Sequence, residues 1–221
     1  LITIKGKTKL RSLNYKIPTD ISSSAFFIVL TALAENSSLK IKNVNINPTR
    51  IGVIKILKKM GIKIKILNKK IYKGENLADL EINSIKFLKP INCPVKLNSA
   101  AIDEFMLIFL CAAKANGISY FKNLSELNEK ESPRLIWGSK ILNLMGIKNI
   151  VTDSSIKIFG NPHLKIDKKI TIKNFLKDHR VFMTSVIAAL SVEGDSIWKI
   201  YDKDSINSSF PDFLSLVKKF I

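Results

Sequence analysis

Residues 25–44, AFFIVLTALAENSSLKIKNV, are built on the same plan as residues 105–124, FMLIFLCAAKANGISYFKNL, and as residues 182–201, FMTSVIAALSVEGDSIWKIY. Each copy reads as an apolar helix, a short polar turn and an alternating strand. A second element recurs between them. ILKKMGIKIKI at 56–66 matches ILNLMGIKNIV at 141–151, a helix whose end is marked by Gly61 or Gly146 before another strand. The unit is therefore helix, strand, helix, strand, strand, and it occurs three times, the third copy stopping after its second helix, PDFLSLVKKFI. A repeat of this kind requires all three copies to bury the same faces against one another.

Helices that are apolar nearly all round belong inside, so the first helix of each unit is expected at the centre with the strands outside it. Alignment of the copies puts Ser23, Asp103 and Arg180 at one equivalent place, the start of the buried helix. Under pseudo-threefold symmetry these three side chains face one another where three helix N-termini meet, a natural place for an anion.

Arginine usage sharpens that expectation. Of 36 cationic residues only Arg11, Arg50, Arg134 and Arg180 are arginines. Three lie at predicted helix starts: Arg50 after Asn47 and Pro48, Arg134 after Ser132 as cap and Pro133, and Arg180 after Asp178. A cation there opposes the helix dipole by about 0.3 to 1 kcal/mol. Arginine differs from lysine mainly in its planar two-pronged grip on carboxylate and phosphate. Each arginine singly could be neutralised by a neighbouring acid, Arg134 by Glu131 or Arg180 by Asp178, but three at equivalent starts point to a bound anion. Asp103 and Glu104 precede the second buried helix, where Asp103 also suits an N-cap. Glu131 sits beside Lys130, three residues before Arg134. Carboxylates held near cations and helix starts can exchange protons with a substrate. His179 reads as a hydrogen-bonded histidine at a helix start, and His163 as structural or exposed.

Composition excludes more than it assigns. The net charge of +18 comes from lysines spread through almost every segment, without the interleaved aromatics of a base-stacking surface. No nucleic acid partner is expected. Cys93 and Cys111 have no CxxC spacing, which argues for a reduced compartment and against a zinc site. The longest apolar runs, 25–34 and 106–113, fall short of the roughly 20 residues of a membrane helix. The chain begins without Met or a leader pattern and reads as a piece of a longer protein.

Six short motifs, IPTDISSSAFF at 17–27, NPTRIG at 47–52, AIDEF at 101–105, LNEKESPR at 127–134, DHRVFM at 178–183 and SSFPDF at 208–213, resemble in order and spacing the 5-enolpyruvylshikimate-3-phosphate synthase family. The resemblance covers the C-terminal half of that enzyme. It implies an α/β fold with mixed sheets: three βαβαββ units forming one domain, helices inside and sheets outside. Residues 1–18, with the strand LITIKG, would be a crossover from the missing N-terminal domain, and 19–221 the C-terminal domain, with units near 19–80, 81–160 and 161–221. The implied reaction moves the enolpyruvyl group of phosphoenolpyruvate to the 5-hydroxyl of shikimate 3-phosphate, with no metal or organic cofactor, in a cytoplasmic enzyme that is monomeric at full length. The resemblance assigns Asp103 to the shikimate hydroxyls and to the base, Lys130 to shikimate 3-phosphate, Glu131 to proton transfer, and Arg134 and Arg180 to phosphoenolpyruvate. The family pattern is broken at Thr19, Asn128 and Pro133, and no cation stands at Ser208 or Ser209. The UDP-N-acetylglucosamine enolpyruvyl transferase of the same fold is the rival enzyme, and a basic RNA-binding α/β-repeat protein the rival of a different class.

Overall fold

The structure, a computed structural model, describes residues 1–7, 9 and 12–220. Thr8, Leu10 and Arg11, which fall within the expected crossover segment, lie outside the described residues. The first unit comprises α1 (Ile21–Leu33), β1 (Ser38–Asn45), α2 (Gly52–Lys59), β2 (Lys63–Tyr72) and β3 (Glu75–Asn83). The second comprises α3 (Phe105–Ala113), β4 (Ile118–Phe121), α4 (Arg134–Leu144), β5 (Asn149–Val151) and β6 (Ile156–Phe159). The third holds β7 (Lys169–Ile172), α5 (His179–Leu190), β8 (Ile197–Ile200) and α6 (Phe213–Val217).

The apolar helices lie at the centre, as their composition requires. Every residue of α3 is buried, and α1 exposes little beyond Ser23 and Leu33. The helices α1, α3 and α5 pack against one another. Burial of each large side chain on them stabilises the fold by about 1.5 to 3 kcal/mol. Outside them lie antiparallel sheets in the orders β1-β3-β2 and β4-β6-β5, and the parallel pair β7-β8. Each central helix crosses between parallel partners. Thr19 bridges Val44 around α1, Asn92 bridges Tyr120 around α3, and β7 pairs with β8 around α5.

Alternation explains the charge of the sheets. In β1, Leu39 and Ile41 pack on the core while Lys40 and Lys42 face solvent; in β2, Ile64 is buried between exposed Lys63 and Lys65. Both predicted glycine stops are present. Gly61 and Gly146 have φ of 97° and 81°, and the amides that follow reach back to close each helix, Ile62 to Leu57 at 3.1 Å and Ile147 to Leu142 at 2.9 Å. Residues 1–7 form no strand, whereas the segment just before α1 lies on the β2–β3 hairpin, where Tyr15 stacks on Tyr72 at 5.4 Å.

The start of α3 departs from expectation. Residues Ser99–Glu104 form a 3-10 turn, and α3 begins only at Phe105 without a side-chain cap, so Asp103 caps nothing. The turn is held by α2, which starts at Gly52. A Cβ there would stand 2.5 Å from the carbonyl carbon of Ala100. Gly52→Ala gains at most about 1 kcal/mol in helix propensity but forces a backbone shift costing roughly 1 to 3 kcal/mol. Thermal unfolding is expected to show a lower Tm for Gly52→Ala; an unchanged or raised Tm would mean that α2 and the 3-10 turn are not locked together.

Candidate active site at the helix N-termini

Asp178 organises this end of the domain. Its side chain is fully buried and caps α5, accepting from the Arg180 amide at 2.8 Å and the Val181 amide at 3.4 Å. Ser132 donates to the same carboxylate at 2.8 Å. Arg134, the first residue of α4, is 2% exposed and grips Asp178 with two nitrogens, Nε to Oδ2 at 2.8 Å and Nη2 to Oδ1 at 3.3 Å. Its Nη1 reaches Asp103 Oδ1 at 3.1 Å, and Nη2 also donates to Glu131. Ser132 is therefore not a helix cap, and within the fold Arg134 is matched by the Asp178 carboxylate 44 residues away as well as by its sequence neighbour Glu131 and by Asp103.

Arg180 is freer. Its Nη1 donates to the Asp103 carbonyl at 3.0 Å, and its guanidinium lies 3.8 Å from the Asp103 carboxylate and 3.5 Å from that of Glu104. Lys130 approaches Asp103 at 3.5 Å and Glu126 at the same distance. Asp103 thus stands among Lys130, Arg134 and Arg180. Partial burial pushes its pKa up, but the three cations outweigh that and hold it below the ordinary carboxylate range. Glu131 is half exposed, 4.0 Å from Nδ1 of His179. Burial first, then the Arg180 charge, lowers the His179 pKa, so its ring is neutral near pH 7. His163 is exposed and leans on Phe87.

Of the predicted meeting of Ser23, Asp103 and Arg180, the Asp103–Arg180 contact is present and the α1 residue is one position off. Ser22, not Ser23, crosses to the second unit, donating to Glu104 at 2.6 Å, while Ser23 offers its amide to the Asp20 cap at 2.7 Å. Arg50 lies before α2 rather than in its first turn, and donates to Ser22 at 3.1 Å. Sequence reasoning named Glu104 as an acid before the buried helix but missed Ser22; the available signal was a polar residue inside an otherwise apolar stretch. Glu131, Asp178 and His179 place ligand atoms within 4.8 Å of one another. The Asp178 oxygens are already taken by Arg134, Ser132 and helix amides, so the trio serves as cap and clamp rather than as a metal centre. A cavity of about 440 Å³ lies at the other ends of the helices. Lys114 lines it and donates to the Ser191 carbonyl at 2.7 Å, a cation placed where α5 ends.

Repeated units with buried central helices and sheets outside define the enolpyruvyl transferase fold, and the enolpyruvyl transferase NikO from Streptomyces tendae shares it with a TM-score of 0.66 over 89% of this chain and 42% of that one, at 16% identity. EPSP synthase from Acinetobacter baumannii superposes with a TM-score of 0.87 at 34% identity, over 96% of this chain and 48% of that one. The chain belongs to the EPSP synthase (3-phosphoshikimate 1-carboxyvinyltransferase) family, whose model matches residues 1–216. A 3-phosphoshikimate 1-carboxyvinyltransferase of Ruthia magnifica subsp. Calyptogena magnifica is 40% identical over 218 residues, 99% of this chain and 49% of that relative. The chain spans about half the length of the curated relatives it matches. No helix among the described residues is long and apolar enough to cross a membrane.

Removing one partner of a buried pair strands the other charge, which costs about 3 to 5 kcal/mol. Asp178→Ala is expected to lose that much stability in denaturant unfolding. Asp178→Asn keeps a good cap and should still lose most of it; an Asn variant as stable as the parent would show that the cap, not the ion pair, is what matters.

Proposed function

We propose that this chain is the C-terminal half of an enzyme that transfers the enolpyruvyl group of phosphoenolpyruvate to the 5-hydroxyl of shikimate 3-phosphate. Residues 19–221 supply its C-terminal domain, in units near 19–80, 81–160 and 161–221, and residues 1–18 the crossover from the other half. The reading is supported by family membership together with one observation: Asp103 ringed by Lys130, Arg134 and Arg180 where the central helices begin. Both substrates are polyanions, and these cations are their counterparts.

In the proposed reaction Arg180 and Arg134 hold phosphoenolpyruvate, and Lys130 holds the phosphorylated acceptor. Asp103 takes the proton of the attacking hydroxyl and passes it to the departing phosphate. Glu131 supplies a proton to the methylene carbon and removes one from the resulting methyl group as the C–O bond to phosphate breaks, so the product is an enol ether. Asp103 is a weak base while three cations serve it alone. Substrate anions that draw on Lys130, Arg134 and Arg180 raise its basicity when the hydroxyl is in place. The buried Arg134–Asp178 pair fixes the α4 and α5 starts, and therefore the direction of Arg180. Asn128, where the family has arginine, donates instead to the Asp153 carbonyl at 3.2 Å.

Closing two walls on the substrates excludes water and fixes the reacting groups, which one wall cannot do. Residues 1–221 alone should show no turnover with both substrates supplied, and activity should appear when the other half is added in trans. Product from residues 1–221 alone would refute the half-site reading. In the full-length protein Arg180→Lys keeps the charge but loses the planar fork. Steady-state kinetics should show kcat/KM for phosphoenolpyruvate falling on the order of 10²-fold, with the KM for shikimate 3-phosphate little changed. Parent-like kinetics would remove Arg180 from the anion clamp.

A further inference from the structure

Glu104 is a carboxylate with little reason to exist in a core. It is 3% exposed at the end of the 3-10 turn, with Phe105 and the wholly buried α3 immediately after it. Two elements from outside its own unit converge on it. From α1, Ser22, itself 4% exposed, donates at 2.6 Å; from α5, the Arg180 guanidinium lies 3.5 Å away. Behind Ser22 stands Arg50, whose Nη2 donates to the serine oxygen at 3.1 Å and pairs with Asp20 at 3.4 Å. The order Arg50, Ser22, Glu104, Arg180 therefore links all three units, one contact per boundary. Its neighbour Asp103, the other carboxylate paired with Arg180 among the described residues, already faces Arg134 and Lys130.

We propose that Glu104 is a positioning residue: with Ser22 and Arg50 it holds the Arg180 guanidinium at the angle needed to receive an anionic substrate. Without Glu104, Arg180 keeps its bond to the Asp103 carbonyl and its more distant approach to the Asp103 carboxylate. Glu104 lies beside the same Nη1 that bonds the Asp103 carbonyl; the two hydrogens of that nitrogen lie in the guanidinium plane, so a second acceptor there orients the plane on which a two-pronged grip depends. Ser22 sets the height of the carboxylate, because its Oγ spends its single hydrogen on Glu104 while accepting from Arg50.

The proposal also accounts for a stability cost. Burial, partly offset by Ser22 and Arg180, raises the Glu104 pKa above its ordinary value, with Asp103 adding to the rise and Arg50 opposing it. The unfolded chain therefore ionises first as pH rises. Stability that the native state has below the ordinary carboxylate pKa of 4.5 is lost progressively as pH rises through the native value. A neutral glutamine in the same shape avoids that loss.

The inference rests on the proposed reaction for its kinetic test but not for its structural one. In the full-length protein, Glu104→Gln should raise KM for phosphoenolpyruvate roughly tenfold, the worth of one contact to a charged group, with a smaller change in kcat and none in KM for shikimate 3-phosphate. Its Tm should match or exceed the parent's, the gap widening as pH rises above the ordinary carboxylate value. Ser22→Ala should produce a weaker version of the same KM effect, and Glu104→Asp should recover part of the loss. In the same protein labelled with 15N-arginine, the Arg180 Nε–H signal, assigned by its disappearance in Arg180→Lys, should move and exchange faster in Glu104→Gln. An unchanged Arg180 signal, or an unchanged KM in an enzyme that is otherwise active, would overturn the positioning role. Should the parent protein fail to convert the two substrates, the proposed reaction falls, and the Arg180 signal alone then decides for or against Glu104.

Discussion

Three helices that are apolar on almost every side cannot face water, and packing them together brings three N-termini to one end of the domain. Their sides are satisfied by one another and by the surrounding sheets. Their first turns are not, because the leading amides of any helix lack partners within it. The fold concentrates unpaired donors at one place, and the polar residues of the molecule's centre are gathered there to meet them. Asp20 and Asp178 cap α1 and α5 directly, whereas α3 is reached through a 3-10 turn that frees Asp103 and Glu104 from capping. That difference between the units sets the chemistry of the site. Two helices spend their acid on their own amides, and the third presents two acids to its neighbours.

The balance of charge follows from the same constraint. Arg134 is almost inaccessible and is coordinated by Asp178, Asp103 and Glu131, so it functions first as the tie between the second and third units. Arg180 and Lys130 remain more accessible and less fully matched. In the proposed reaction this grading matters: a cation already held rigidly loses little freedom when a substrate arrives, and one with an open side receives it. Unlike Lys130, the lysines of β1 and β2 take no part: Lys40, Lys42, Lys63 and Lys65 stand on the outward faces, where alternation puts them.

Much of this was legible in the chain. The repeat gave the three units and their helix order, Gly61 and Gly146 ended their helices where expected, and the DHR triplet opened a buried helix capped by its aspartate. Lys130, Glu131, Arg134 and Arg180 do gather with Asp103. Less was legible about partners. Arg134 does meet its sequence neighbour Glu131, but it also pairs with an acid 44 residues away, and Ser132 and Asp103, read as caps, cap nothing. Motif spacing identifies which residues are polar at a helix start but carries no information about which oxygen lies opposite which nitrogen.

What the sequence determined by itself was local: where helices and strands begin and stop, which faces are apolar, and that three like units share one core. Those properties depend on residues within a few positions of one another, through backbone conformation, capping and periodicity. What only the tertiary structure decided was the pairing across unit boundaries, Ser22 with Glu104 in place of Ser23 with Asp103, and Asp178 with Arg134. A rotation of one helix by a single residue turns its side chains by about 100°, since 3.6 residues complete a turn. That rotation is fixed by the packing of the whole core at once, so no segment of the chain contains it.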